Sequence, residues 1–218
     1  PSGRLVCVFA ECTPHRDRSY TRIALTTSED RGRTWSPKRP LSEPLTGDGK
    51  SQPWWNCARI STLSDGRLAV LCDRIAGRDE GMGGEQSNWL WFSADEGESW
   101  DYHEFPKYQE NDKWSYCRGM ALKEDDPNVI FVGNGDTTPG ITGDIQVSKD
   151  GGNTWDAMPL PVEPNSRIYW FATHPLIPRV IVAASIYGYV YVSEDGGDSW
   201  QKLRKEFGEI RTLALTPN

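Results

Sequence analysis

An eight-residue phrase occurs four times in the chain and limits its fold more than any other feature. It reads SEDRGRTW at 28–35, SADEGESW at 93–100, SKDGGNTW at 148–155 and SEDGGDSW at 193–200. All four fit S-x-D-x-G-x-[S/T]-W and recur 45 to 65 residues apart, so the chain is an array of one repeated unit. A short alternating run ends in each serine: YTRIALTTS (20–28), NWLWFS (88–93), GDIQVS (143–148) and GYVYVS (188–193). Their period of two and their β-branched and aromatic content predict strands, which makes the phrase the hairpin turn that leaves each strand.

The chemistry of the turn follows from its residues. Asp30, Asp95, Asp150 and Asp195 can accept hydrogen bonds from backbone N–H groups of their own turns, while Gly32, Gly97, Gly152 and Gly197 supply a left-handed backbone. Trp35, Trp100, Trp155 and Trp200 open the returning strand, where an indole can wedge between neighbouring sheets. A residue that recurs once per repeat serves the repeat. These aspartates are therefore read as turn holders and not as catalysts.

One further strand belongs to the first phrase and two to each later one. RLVCVF (4–9), GRLAVLC (66–72), NVIFVG (128–133) and RVIVAA (179–184) form one set; CARISTL (57–63), CRGMAL (117–122) and RIYWFAT (167–173) form the other. Turn-rich segments join them: SDG at 64–66, KEDDPN at 123–128 and HPLIP at 174–178. Four short strands per repeat predict an all-β fold, a β-propeller of four-stranded antiparallel blades. EIRTLALTPN (209–218) reads as one more first strand, so the chain holds four blades' worth of strands, three complete and one split between the two ends. The expectation is a single propeller domain over 1–218, incomplete at both ends and part of a six- or seven-bladed ring; a closed ring of four is the alternative. The loops AECTPHRDRS (10–19), DRIAGRDEGMGGEQS (73–87) and NGDTTPGIT (134–142) emerge together at the end opposite the repeated turns, where function is expected.

Composition excludes some classes of partner. A net charge of −7 argues against nucleic acid, and no apolar run approaches the length of a membrane span. The five cysteines have no C-x-x-C spacing and His15, His103 and His174 lie far apart, so neither a metal site nor a cofactor is expected. The cysteines read as free core thiols, with a disulfide left open.

With its four turns, the sequence resembles the Asp-box (BNR-repeat) superfamily. That resemblance implies a propeller but not one activity, because the superfamily includes sialidases, sortilin-like receptors, assembly-factor-like proteins and xyloglucan-cleaving hydrolases. The first half is sialidase-like. CARISTLSDGRLAVLCDRIAGRDEG (57–81) is similar to the sialidase opening, with Arg59 and Arg74 at the positions of two substrate-binding arginines and Asp79 at that of the acid/base aspartate; Ser61 stands where the family has proline. A rival alignment places Asp17 near the acid position, with Thr13 in place of the second arginine. The second half, with DDPNVIFVGNGD and HPLIPRVIVAASIYGYVYVSEDGGDSW, looks more like assembly-factor and sortilin repeats.

Aligning Leu63, Leu122 and Leu215 puts Arg59, Arg118 and Arg211 at one position of the first strands, with Tyr169 at the fourth and Arg167 two residues before it. If that position opens into the central funnel, three arginines and a tyrosine converge, as in the arginine triad and tyrosine nucleophile that the resemblance implies. The other reading is that these arginines pair with neighbouring acids. The function expected is a sialidase-like exo-glycosidase acting on carboxylate-bearing glycans. The alternative is a non-catalytic propeller that binds a glycan or a protein partner, and a third is an endo-acting hydrolase using Asp79 and Asp136. Trp54, Trp55 and Trp114 are candidates for stacking on sugar rings, or for packing between blades. By resemblance alone, a secreted or periplasmic location is favoured.

Overall fold

The structure is a computed structural model describing residues 3–12, 21–42, 54–63, 65–76, 85–105, 116–137 and 139–217. Its strands form four antiparallel sheets. The first contains β1 (Leu5–Cys12), β2 (Thr21–Ser28) and β3 (Arg39–Pro40), in that order. The second contains β4 (Trp54–Thr62), β5 (Leu68–Ala76), β6 (Glu85–Ser93) and β7 (Asp101–Phe105), and the third β8 (Gly119–Lys123), β9 (Asp126–Gly135), β10 (Gly143–Ser148) and β11 (Asp156–Ala157). The fourth contains β12 (Ile168–Ala172), β13 (Ile181–Ser185), β14 (Val190–Ser193) and β15 (Gln201–Lys202). Each sheet is a meander, the arrangement expected of a propeller blade. Among the described residues there is no helix.

The four turns share one hydrogen-bond plan. In the first, Ser28 Oγ donates to Asp30 Oδ1 (2.9 Å) and accepts from the N–H of Gly32 (2.8 Å), while Thr34 gives Asp30 its backbone N–H (2.8 Å) and its hydroxyl (2.6 Å). The same bonds recur around Asp95, Asp150 and Asp195. Two consecutive residues take positive φ in each turn, the second being always the motif glycine; the first is Arg31 or Glu96 in the early turns and Gly151 or Gly196 in the later ones. The serine fixes register as well as the turn: Leu5, Leu68, Ile130 and Ile181 each lie opposite one.

The described residues gather into two compact units, one containing the first two sheets and the other the last two. In the first unit, β4 packs against β1 and β2 over Ile23, Val70, Cys72 and Trp91. The second blade's turn is held from the first blade by Arg4, which pairs with Glu96 (3.5 Å) and Glu98 (3.2 Å), and by Arg39, which donates to the carbonyls of Gly97 and Glu98. In the second unit, β12 packs against β8 and β9 over Phe131, Ile145, Val147, Ile168, Phe171 and Ile181. The fourth blade's turn presses Gly197 onto the Phe131 ring, and Lys149 pairs with Asp198 at 3.1 Å. The rule is common to both units: a blade's turn rests on the sheet before it.

Two expectations need correction. Residues 209–217 form no strand. They follow blade four through single bonds, Ile210 N–H to the Ile186 carbonyl (2.9 Å) and the Trp170 indole N–H to the Ile210 carbonyl (3.0 Å), and these do not make a ladder. The tryptophans also do not wedge uniformly. Trp200 is buried against Phe131, with ring centroids 6.1 Å apart, and Trp155 meets Phe105 at 4.5 Å, but Trp35 is 46% exposed. The indole N–H of Trp35, Trp100 and Trp155 instead closes its own turn onto the motif glycine's carbonyl at 3.0–3.1 Å. Among the described residues, Cys7, Cys72 and Cys117 form no disulfide.

The turn carboxylates make stability acid-sensitive. Hydrogen bonds from the Thr34, Ser99 and Thr154 hydroxyls, reinforced by backbone N–H groups, hold Asp30, Asp95 and Asp150 at about 2, and Asp195 lies lower still. Their contribution is present above pH 4 and is lost as pH falls towards 2. Asp144 has the opposite sign, because burial raises its carboxyl to about 6 against a bond from Gln146. Folding then binds its proton, so stability falls as pH rises from 4 to 6. Melting temperature against pH should therefore peak near pH 4, with Asp144→Asn flattening the upper limb only and Asp95→Asn reducing the steepness of the lower one.

Adding one methyl group tests the packing of the turns. A Cβ on Gly197 would collide with the Phe131 ring, whereas one on Gly32 meets nothing closer than Leu5 at 3.5 Å. Both need left-handed backbone, so Gly32→Ala should cost about 1 kcal/mol and Gly197→Ala about 2–4 kcal/mol in urea unfolding.

Candidate functional site

The strand ends away from the turns are shaped by small residues. Phe131, Ile145 and Val147 fill the face of blade three that meets blade four, but further along the same strands the alternation brings up Gly133, Gly135 and Gly143, with Gly119 beside them on β8. The missing side chains admit the backbone of residues 166–169. A Cβ on Gly119 would lie 2.7 Å from the Tyr169 carbonyl oxygen, one on Gly143 2.9 Å from Arg167 Cα, and one on Gly135 would collide with Arg167 Cβ. Arg167 is tied down further by its N–H to the Pro139 carbonyl (3.2 Å) and by its own carbonyl, which accepts from Ile186 N–H (3.2 Å).

Arg167 is 6% exposed, and its guanidinium lies over two aromatic rings, 4.2 Å from the centroid of Tyr116 and 4.5 Å from that of Tyr169. Arg118 completes the group: its Nη2 donates to the Tyr116 hydroxyl at 2.8 Å and its guanidinium lies 4.9 Å from the same ring. Arg167 Nε and Nη1 have no hydrogen-bond partner. Burial lowers the Arg167 guanidinium from its ordinary range; Tyr116 and Tyr169 oppose the shift, and the Arg118 charge adds to it. Tyr169 is the bulged residue of β12, between Ile168 and Trp170 in the register with β13, and its ring meets Trp170 edge-on at 4.5 Å. A bulge re-aims a side chain, and here the re-aimed ring is the one that meets the guanidinium.

Of the predicted site residues, Arg118 and Tyr169 are thus brought to one cluster through Tyr116 and Arg167. Arg211 is not part of it: its side chain is 80% exposed and pairs with Glu209 at 2.6 Å. Arg59 and Arg74 lie on β4 and β5 of the other unit, opposite Leu71 and Trp55. Asp79, Asp17, Thr13 and Trp114 lie outside the described residues, as do the side chains of Trp54 and Trp55. Asp136 is a turn residue whose Oδ1 accepts from the N–H groups of Ile141 (3.1 Å) and Thr142 (3.4 Å).

Register also displaces the leucine alignment by one residue. Three positions past the residue opposite the motif serine come Leu71, Gly133 and Ala184, and their first-strand partners are Arg59, Gly119 and Trp170. Arg59 is therefore equivalent to Gly119, not to Arg118, because Leu122 pairs where Thr62 does and the two hairpins differ in length. The bulge that holds Tyr169 in blade four holds Ala58 in blade two.

Asp144 and Asn134 lie opposite each other on β10 and β9, with Asp144 Oδ1 and Asn134 Nδ2 buried without partners. Neither is among the groups acting on Arg167. Among the described residues no group of three metal-ligating side chains occurs and no helix could cross a membrane.

Comparison with solved structures gives the fold a context. The chain is similar to the NanB sialidase of Streptococcus pneumoniae (TM-score 0.64, 13% identity, 93% of this chain and 50% of that one). It is also similar to a Hadza microbial sialidase (0.64, 18%, 98% and 46%) and to the intramolecular trans-sialidase of Ruminococcus gnavus (0.60, 12%, 93% and 68%). The chain thus spans about half the length of the first of these structures, and at such identities the likeness is one of fold: a β-propeller of sialidase type. No curated protein matches it in sequence. Residues 88–214 match the family described as sortilin, neurotensin receptor 3, over the segment that carries the last three motif turns. On that match, which covers more than half of the sequence, the chain belongs to the Sortilin-Vps10 family of Asp-box propellers.

Proposed function

We propose that the chain is the ligand-recognising part of a sialidase-like propeller that acts on glycans ending in a carboxylate-bearing sugar. The observation that carries this reading is the cluster of Arg118, Tyr116, Arg167 and Tyr169 where the inner strands of blades three and four begin. A guanidinium suits a sugar carboxylate because it offers parallel N–H donors to two oxygens. Tyr169 supplies a phenol beside those cations, the residue type expected of the nucleophile in this chemistry. On this reading Arg59 and Arg74 bind substrate as well, and Asp79 passes a proton to the leaving oxygen. The sialidase fold of the structural neighbours supports the assignment.

The match to the sortilin family favours a second reading, in which the same cluster binds a glycan or a protein partner without chemistry. Turnover separates the two. The full chain incubated with a fluorogenic sialoside should release fluorophore, with Asp79→Asn and Tyr169→Phe each lowering kcat/KM by at least about a hundredfold. Undiminished turnover in both variants would sink the catalytic roles. Saturable sialoside binding without turnover, abolished by Arg118→Glu, would establish the binding reading instead.

A further inference from the structure

We propose that the face of blade four turned away from blade three receives the first motif turn of a second copy of this chain, so that copies associate blade to blade. The contact lies at the turn end of the strands and does not depend on what the loop end binds.

The contacts inside the two units show what a seat for a turn requires. A Cβ on Gly97 would meet Leu25 and Val6 of blade one, and one on Gly197 would strike Phe131 of blade three, so each turn lies on apolar side chains of the sheet before it. The sixth residue of each of these turns is acidic and meets a cation of that sheet: Glu98 pairs with Arg4 at 3.2 Å and Asp198 with Lys149 at 3.1 Å. Arg39 adds bonds to main-chain carbonyls of the second turn. A seat is thus an apolar pair at the serine end of a sheet, bordered by charge of opposite sign to the turn it holds.

Blade four offers such a seat. Val182 and Val192 lie opposite each other where blade three has Phe131 and Val147, one residue from the motif serine's level in each case. Tyr191 belongs to the core shared with blade three, so alternation turns Val192 to the other side. There Val192, Glu194, Gln201 and Leu203 border a cavity of about 490 Å³, and Leu203 is exposed. Arg204 borders it as well. It follows Leu203, which stands on this sheet at the level of Arg39 on the first, so a guanidinium is again at hand for the carbonyls of a turn.

The first turn has no such seat among the described residues. A Cβ on Gly32 would meet only Leu5 and Trp35 of its own blade. Both of those side chains are exposed, whereas their counterparts in blade four, Ile181 and Trp200, are buried in the core around Phe131. Exposed apolar surface therefore lies on both halves of the proposed contact, and its burial favours association.

Charge selects the turn. Lys149 follows its motif serine and pairs with the sixth residue of the next turn, Asp198. Blade four has Glu194 in the place of Lys149, and the first turn has Arg33 in the place of Asp198. Both signs are reversed, so the pairing is kept, and both side chains are exposed. The other turns carry Glu98, Asn153 and Asp198 at the sixth position, and an acid placed against Glu194 would be repelled. Turn and seat are different surfaces, which makes the contact heterologous: each copy gives one turn and takes one.

The test is the mass of the full chain by light scattering from about 1 to about 200 μM. It should rise above that of one chain as concentration increases. Arg33→Glu and Glu194→Arg should each weaken association at least about tenfold, and an equimolar mixture of the two variants should regain it, because a reversed turn then meets a reversed seat. Trp35→Ala should weaken association by a similar factor. The two reversals alter exposed side chains, and an unchanged circular-dichroism melt in each separates lost association from lost fold. A single chain's mass at every concentration would overturn the proposal. So would association that ignores both reversals, or a mixture no more associated than its components.

Discussion

The hydroxyl of the motif serine is the joint on which the rest of this structure depends. In every repeat it accepts from the glycine N–H four residues on and donates to the aspartate between them, so one side chain closes the turn and marks where the preceding strand stops. Because that serine lies opposite a defined residue of the neighbouring strand, it also fixes which side chains face which sheet. A strand displaced by one residue would expose its apolar set and bury its polar one. The turn is therefore a register mark first and a loop second. It achieves this with a buried hydroxyl at the strand end, while the aspartate that receives its proton carries the charge-assisted bonds on the exposed side of the turn.

Much of this was legible in the residues themselves. The strands preceding each turn, the four-strand meanders, the left-handed glycines and the carboxylates capping their own turns all follow from local chemistry that a periodic pattern reports directly. What local chemistry does not report is the count of residues within a connecting hairpin. Leu63 and Leu122 look equivalent in sequence, yet the hairpin after β8 is of different length from that after β4, and this moved Arg59 away from the level of Arg118. The C-terminal segment shows a related limit. Its alternation is that of a strand, but a strand exists only by virtue of a ladder, and the hydrogen bonds of 209–217 go singly to blade four.

The candidate site was legible in its members more than in its assembly. Arg118 and Tyr169 stand out at the starts of inner strands. Tyr116, which joins them, carries no mark beyond lying two residues before Arg118. Arg167 lies two residues before Tyr169, but its importance comes from burial between rings on two different blades, a property of packing across 51 residues of chain. The bulge at Tyr169 likewise has no sequence signature, although it decides where the phenol points.

The taper on the face of blade three has a consequence for which substitutions the pair of blades can absorb. Bulky residues prop the two blades apart near the rim, and glycines let them close to backbone contact near the loops, so the blades meet there main chain to main chain. The spacing at that end is set by what four residues lack: one added methyl group at Gly119, Gly133, Gly135 or Gly143 would strike residues 166–169 and lever the blades open where Arg167 and Tyr169 are held.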